Sequence, residues 1–239
     1  MEMTYSILLI EDDHEIIELL KIYLEPEYDV HEAADARIAL DMIENYSYDL
    51  AVVDVMLPGI DGFQWVKTIR HSHYFPVLFL SARSQESDKI LGLSMGADDY
   101  MTKPFNPLEV VARVQALLRR VHQFDTVAAS KKEAEEERLE AGELVLDTKS
   151  CTLYLAGQPV LLTSTEYKIL ALLMGNSGRV LTRKKIYEAV WDDAFAYDDN
   201  TIMVHLSNLR EKIEPHPKNP SYIKTIRGLG YKFEAPVQH

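Results

Sequence analysis

The chain is predicted to form two domains. The first is a doubly wound α/β domain around a five-stranded parallel sheet, and the second is a smaller α+β winged helix-turn-helix domain. Three observations predict this. Up to about residue 120, short runs rich in Val, Ile and Leu alternate with amphipathic stretches, as strand–helix repeats around a parallel sheet do. Residues 123–138 turn small and then charged, with no apolar stripe. Beyond them the pattern changes to short strands, then three helices, then a glycine-centred hairpin. A length of 239 residues agrees with two domains.

The organising stretch is Leu50–Gly59. Its valine-dense run reads as a strand buried on both faces, ending in Asp54, after which Pro58-Gly59 turns the chain. Ligands in open α/β sheets gather beyond the carboxyl ends of the strands, so Asp54 stands where a site is expected. Ile7–Ile10 reads as the first strand and delivers Glu11-Asp12-Asp13. The following helix carries Ile16, Leu19, Leu20 and Tyr23, read as its apolar face, with Asp13 as cap. Three carboxylates would repel a nucleotide phosphate but suit a hard divalent cation such as Mg²⁺. A second strand near Tyr28–Glu32 and a helix near Ala36–Asn45 precede the Asp54 strand. Asp61 is a plausible N-cap for a helix through Arg70. Pro76–Leu80 is the fourth strand, leading to Ser81, and a helix near Ser87–Met95 stops at Gly96. Tyr100–Thr102 leads into Lys103-Pro104. The helix Pro107–Arg120 shows Val110, Val111, Val114, Leu117 and Leu118 on one face.

Glu11, Asp12, Asp54, Ser81 and Lys103 thus fall at four strand ends that converge if the strands run parallel. Clustered acids, an ammonium and a hydroxyl suit phosphoryl transfer to a carboxylate, with Asp54 as nucleophile. Taken singly, each has a bland role as cap or surface ion pair.

Composition narrows the classes. A hydrophobic share of 47% and a charged share of 26% belong to a globular chain. No apolar run nears the ~18 residues of a membrane span, the start lacks a secretory pattern, and the lone Cys151 fits a reduced compartment, so a cytoplasmic location without membrane contact is expected. The net charge of −13 is unevenly spread. Residues 1–122 hold 10 Lys and Arg against 21 Asp and Glu, whereas residues 139–239 hold 12 of each and 200–232 hold 6 against 2. Global acidity therefore leaves double-stranded DNA open as a partner of the second domain.

Residues 123–138 read as a flexible, solvated linker, a short exposed helix being the alternative. In the second domain, Leu144–Leu146, Thr152–Leu155 and Val160–Leu162 read as strands, with Ala156-Gly157 turning between the last two. Thr163-x-x-Glu166 is a capping box before Ile169, Leu170, Leu172 and Leu173. Thr182 caps a second helix through Trp191, residues 192–199 are a loop, and a third helix spans about 200–213. That helix puts Ile202, Leu206, Leu209 and Ile213 on its core side. Thr201, Val204, His205 and Asn208 are expected together on the opposite side, facing the DNA major groove. Ile223–Phe233 reads as the wing hairpin.

Residues 5–120 resemble the flavodoxin-like receiver domain of bacterial two-component response regulators. The matching pieces are Glu11-Asp12, Asp54-x-x-x-Pro58-Gly59-x-Asp61-Gly62, Ser81-Ala82 and Gly96-Ala97-Asp98-Asp99-Tyr100-x-Thr102-Lys103-Pro104-Phe105. Residues 139–235 resemble the output domains of the OmpR/PhoB class. They match through Thr163-x-Thr165-Glu166-Tyr167, Thr201-x-x-Val204-His205-x-x-x-Leu209-Arg210 and Thr225-x-Arg227-Gly228-x-Gly230-Tyr231. The resemblance implies a transcription regulator that accepts phosphate on Asp54 from a sensor histidine kinase. Glu11, Asp12, Asp54 and the Met56 carbonyl would hold Mg²⁺, with Glu11 acting mainly through water. Ser81 and Tyr100 would be a switch pair, the ring turning inward once the hydroxyl engages phosphate, and Lys103-Pro104 a cis peptide. It implies a phosphorylation-dependent homodimer through the fourth helix, fifth strand and fifth helix, pairing Lys89 with Glu109 and Asp99 with Arg113. DNA contacts would come from Thr201, Val204, His205, Asn208 and Arg210, and from Lys224, Thr225 and Arg227 on the wing. RNA polymerase is a further possible partner. Ser207 and Asn208 depart from the class, which often has basic residues there. Two rivals have less support. A haloacid-dehalogenase-like phosphatase needs a second acid where Met56 stands, and a DNA-free adaptor would not need the basic 200–232 segment.

Overall fold

The computed structural model describes residues 4–127, 138–191 and 199–235, which divide into two compact units, residues 1–119 and 120–239. In the first unit β1 (Ser6–Ile10), β2 (Asp29–Ala33), β3 (Leu50–Asp54), β4 (Val77–Ser81) and β5 (Asp99–Thr102) form one sheet in the order β2-β1-β3-β4-β5. Every pairing in it is parallel. β3 and β4 are buried along their whole length, as their unbroken apolar runs require.

Strand alternation divides the interior into two layers. Ile7, Leu9, Leu50, Val52, Leu78 and Leu80 face α1 (His14–Leu24) and α5 (Pro107–Val127). Leu8, Ile10, Ala51, Val53, Val77 and Phe79 face α2 (Ala36–Asn45) and α3 (Gly62–Ile69). The helix α4 (Glu86–Ser94) lies beside β5. Asp13, Asp35 and Asp61 each accept backbone N–H groups at the starts of α1, α2 and α3, which satisfies donors a helix leaves open. The Lys103–Pro104 peptide is cis, as the resemblance implied.

Three expectations need correction here. α1 buries Ile17, Leu20 and Leu24, while Leu19 and Tyr23 are exposed and Ile16 is only partly covered. The helix is apolar on more than one side, so periodicity alone could not select the inner stripe. α5 continues to Val127, so residues 123–127 of the expected linker are helical. The linker's other end, Arg138, already belongs to a strand; residues 128–137 lie outside the described residues.

The second unit opens with an antiparallel sheet of β6 (Arg138–Ala141), β7 (Leu144–Asp147), β8 (Thr152–Leu155) and β9 (Gln158–Val160). The strand expected at Val160–Leu162 is β9, which covers Gln158–Val160 and stops short of Leu162, and Leu161 is exposed. Then come α6 (Ser164–Gly175), β10 (Val180–Leu181), α7 (Arg183–Trp191), α8 (Asp199–Ile213), and the hairpin β11 (Ile223–Ile226) and β12 (Gly230–Phe233). β10 pairs with β12 to complete a three-stranded wing sheet. The Thr163/Glu166 capping box is formed, an arrangement worth about 1 kcal/mol. Glu166 also accepts from Lys212 Nζ at 2.6 Å, tying the end of α8 to the start of α6. Ile202, Leu206, Leu209 and Ile213 enter a core shared with Tyr167, Ile186, Trp191 and Phe233. The expected loop at 192–199 falls outside the described residues except at Asp199, which opens α8. Among the described residues no helix is long and apolar enough to cross a membrane.

Candidate functional site

The topology brings the sheet's carboxyl ends together. Asp54 closes β3 and is 5% exposed; Glu11 follows β1 and is 1% exposed. Asp12 beside it is exposed. One oxygen from each of Glu11, Asp12 and Asp54 lies within 4.8 Å of the others. Lys103, carried beyond β5, donates to Asp54 Oδ2 at 2.7 Å and to both Glu11 oxygens at 2.9 and 2.8 Å. Asp54 Oδ1 accepts the Met56 N–H at 2.8 Å. Gly62 makes the close packing possible, because a Cβ there would stand 2.4 Å from the Asp54 carbonyl oxygen.

The electrostatics follow from burial. Desolvation pushes the Glu11 carboxyl up to about 7, opposed by its hydrogen bond from Lys103 and reinforced by the Asp54 charge. Burial works against the Lys103 charge, but the hydrogen bonds and fields of Asp54 and Glu11 outweigh it and raise its pKa above the ordinary lysine value. Three carboxyl groups around one ammonium leave an acidic cluster of oxygen donors. That donor set fits a hard divalent cation, the kind of ion receiver domains bind at an acidic pocket.

Ser81 ends β4 fully buried, and its Oγ accepts the Arg83 N–H at 3.0 Å. The Tyr100 hydroxyl donates to the Arg83 carbonyl at 2.9 Å. Its ring is already inward, 3% exposed and edge-on to Phe79. The resemblance ties that inward position to phosphate engagement. Gly92 opens the slot for the ring, since a Cβ there would meet Tyr100 at 3.0 Å and Phe79 at 3.1 Å. Arg83 was missed from sequence. Its guanidinium lies over the Phe63 ring, donates from Nε to Met56 Sδ at 3.1 Å and approaches Asp88 at 3.8 Å. Nothing in the local sequence marks it, because its partners come from three other segments.

Three of the residues expected across a dimer already pair within one chain. Arg113 donates to Asp99 Oδ2 at 2.7 Å and to Glu109 Oε1 at 2.8 Å. Lys89 lies on α4.

In the second unit α8 differs from the sequence reading. Thr201, Val204 and His205 are 2%, 8% and 1% exposed. The His205 ring lies 5.6 Å from that of Trp191 on α7. The expected groove-facing stripe is therefore mostly inside. The reason is geometric: positions 201 and 205 flank the apolar seam, and a helix packed against both α6 and α7 buries a flank as well as the seam. Asn208 is half-buried, and the exposed positions are Met203, Ser207 and Glu211.

Arg210 also takes a different place. Its Nε and Nη2 donate to the Ile223 carbonyl at 3.1 and 2.6 Å, Nη2 donates to Thr225 Oγ1 at 2.9 Å, and the group lies over the Tyr231 ring. It braces the wing against α8. Lys224 donates to Glu234 Oε2 at 2.6 Å, and Lys232 pairs with the same carboxylate. These two ammonium groups hold the Glu234 carboxyl down to about 2. Arg227 is exposed at the wing turn and borders a groove of about 450 Å³ with Arg183 and Lys184 at the start of α7.

Comparison with known proteins agrees with both halves. Residues 7–115 match the response regulator receiver domain family, and residues 157–233 match the family described as transcriptional regulatory protein, C terminal. The response regulator GtcR of Aneurinibacillus migulanus is 45% identical over 233 residues, covering 97% of this chain and 96% of its own. The alkaline phosphatase synthesis transcriptional regulatory protein PhoP of Bacillus subtilis (strain 168) is 44% identical over 236 residues, covering 98% of each chain. The regulatory protein VanR of Enterococcus faecium is 42% identical, covering 97% of this chain and all of its own. Among solved structures, a RitR mutant superposes with a TM-score of 0.77 at 28% identity, over 96% of this chain and 99% of that one. With a receiver ahead of a transcriptional-regulator output domain, and relatives at this identity over nearly its whole length, the chain belongs to the OmpR/PhoB class of two-component response regulators, which regulate transcription in a phosphorylation-dependent way.

Proposed function

We propose that Asp54 is the phosphoacceptor, that the donor is a sensor histidine kinase, and that phosphorylation drives a cytoplasmic homodimer onto paired DNA half-sites. The observation that carries the chemistry is the Lys103 ammonium shared between Glu11 and Asp54. An Asp54 oxygen attacks the phosphorus of a phosphohistidine, the P–N bond breaks, and the freed imidazole takes up the electron pair and a proton. Lys103, already 2.7 Å from Asp54, turns to a phosphoryl oxygen. The Ser81 hydroxyl donates to another, and Tyr100 behind it holds the Arg83 carbonyl at the pocket wall. Mg²⁺ held by Asp12, Asp54 and the Met56 carbonyl, with Glu11 through water, would neutralise charge on the transferring group.

Dimerisation would use α4, β5 and α5, with Lys89 against Glu109 and Asp99 against Arg113. Because Arg113 already pairs with Asp99 and Glu109 in its own chain, such contacts exchange one pair for another. Two tethered output domains would then bind half-sites about one helical turn (~10–10.5 bp) apart. Asn208 on α8 would hydrogen-bond a base and Arg227 would reach from the wing, with Lys224 contributing charge and RNA polymerase a further partner. Thr225 and Arg210 would serve mainly by holding the wing to α8. For Thr201, Val204 and His205 the burial supports an interior role.

The test is Mg²⁺-dependent labelling by a small phosphodonor. Asp54→Asn is expected to abolish labelling and Asp12→Ala to weaken it through lost metal binding. Full labelling of Asp54→Asn would reject the assignment.

A further inference from the structure

Between Asn200 and Leu209, α8 carries no Lys, Arg, Asp or Glu. Its solvent side there consists of Met203, 46% exposed, and Ser207 one turn on, flanked by the half-buried Asn200 and Asn208. A helix face that met only water would carry long charged side chains, as α8 does immediately beyond, at the exposed Glu211. Val204, the apolar group expected to touch a base, is 8% exposed and turned to the interior. Met203 is thus the large apolar side chain this part of the helix presents.

We infer that Met203 determines specificity by packing its thioether against a thymine C5 methyl in the major groove. This deepens, and rests on, the reading of α8 as the DNA-reading helix. Thymine alone shows a methyl group in that groove. The first turns of a recognition helix are those that reach base edges. An unbranched, polarisable methionine adapts to the uneven floor it would meet there. Ser207, short and polar, leaves room for the approach.

The test uses the full chain with Mg²⁺ and a small phosphodonor, selecting from random-sequence duplex DNA with the native protein, Met203→Ala and Val204→Ala. Enriched duplexes are then remade with uracil for thymine, one position at a time, which removes only the methyl. The native protein is expected to lose about fourfold in affinity at one thymine per half-site, the value of burying one methyl group. Met203→Ala should neither enrich that thymine nor respond to the uracil, while its salt dependence stays as in the native protein. Met203→Leu, which keeps the apolar bulk, should retain the response. Equal uracil sensitivity in the native protein and Met203→Ala would overturn the inference. So would uracil insensitivity of the native protein throughout, or loss of the response in Val204→Ala instead. Failure of the native protein to enrich any sequence would overturn the DNA-reading role of α8 itself, and this inference with it.

Discussion

The acidic pocket of the receiver and helix α8 of the output domain are built on opposite principles. In the pocket Glu11 and Asp54 are buried and already paired: Lys103 satisfies both, and Met56 N–H satisfies the other Asp54 oxygen. In the output domain the arginine and lysine expected to touch DNA are partly spent on the protein itself, Arg210 on the wing backbone and Lys224 on Glu234. Convergence of strand ends follows from topology, so a residue at the end of a parallel strand has its place decided by the sheet. Exposure on a helix depends on how many neighbours cover it, which the helix's own periodicity does not specify. The pocket should therefore fail through charge, and the proposed reading face through geometry.

The largest effect is expected at Lys103. Lys103→Met leaves Glu11 and Asp54 facing each other without a cation, and removing one partner of a buried charge group costs about 3–5 kcal/mol. Protonation of Glu11 relieves part of this, so the loss should be greater at pH 8 than at pH 5. Glu11 also makes the native receiver pH-sensitive. Its folded pKa is raised from 4.5 to about 7, so the folded state holds its proton more tightly. That contribution is fully present below 4.5 and is lost as pH rises through about 7. Urea denaturation of metal-free protein across this range should show the loss in the native chain and a flatter curve in Glu11→Gln. A native curve parallel to that of Glu11→Gln would contradict the assigned environment.

An intermediate effect is expected at Arg210. If it braces the wing, Arg210→Met should weaken DNA binding by roughly 1–3 kcal/mol in the presence of Arg227, and by much less in Arg227→Ala. If it touches phosphate directly, the two losses should add, and the salt slope should fall by about one for Arg210 alone. A double-mutant cycle read by fluorescence anisotropy decides between them.

The smallest energies belong to the dimer face. A surface pair such as Lys89 with Glu109 would contribute ~0–1 kcal/mol, and Arg113 with the buried Asp99 would replace a pair already made within the chain. Charge reversal at Glu109 and Arg113 should leave phosphorylation intact and abolish an already weak association, as sedimentation of the phosphorylated chain would show. Unchanged association would mean that another face is used.

The same contrast explains what could be read in the sequence. Apolar runs and caps such as Asp13, Asp61 and Thr163 marked most elements, because each signal is local. Glu11 and Lys103 are 92 positions apart, yet their meeting was foreseeable from parallel strand order alone. The inner face of α1 was not, since the exposed Leu19 and Ile22 are as apolar as the residues it buries. β6, with Arg138 and Glu140 among its four residues, lacks a strand's usual composition, and β10 is too short to be marked at two residues, so both owe their pairing to β7 and β12. The burial of Thr201, Val204 and His205, and the bracing role of Arg210, depend on partners from other segments. Arg83, held by Met56, Asp88 and Phe63, is the same case inside the receiver.

The link between the two regions is tested most directly by DNA affinity measured with and without a small phosphodonor and Mg²⁺, on a selected duplex carrying paired half-sites. The native chain should bind at least tenfold more tightly when phosphorylated, about 1.4 kcal/mol, and Asp54→Asn should show no change. Equal tightening in Asp54→Asn, or none in a fully phosphorylated native chain, would contradict control of the output domain through Asp54.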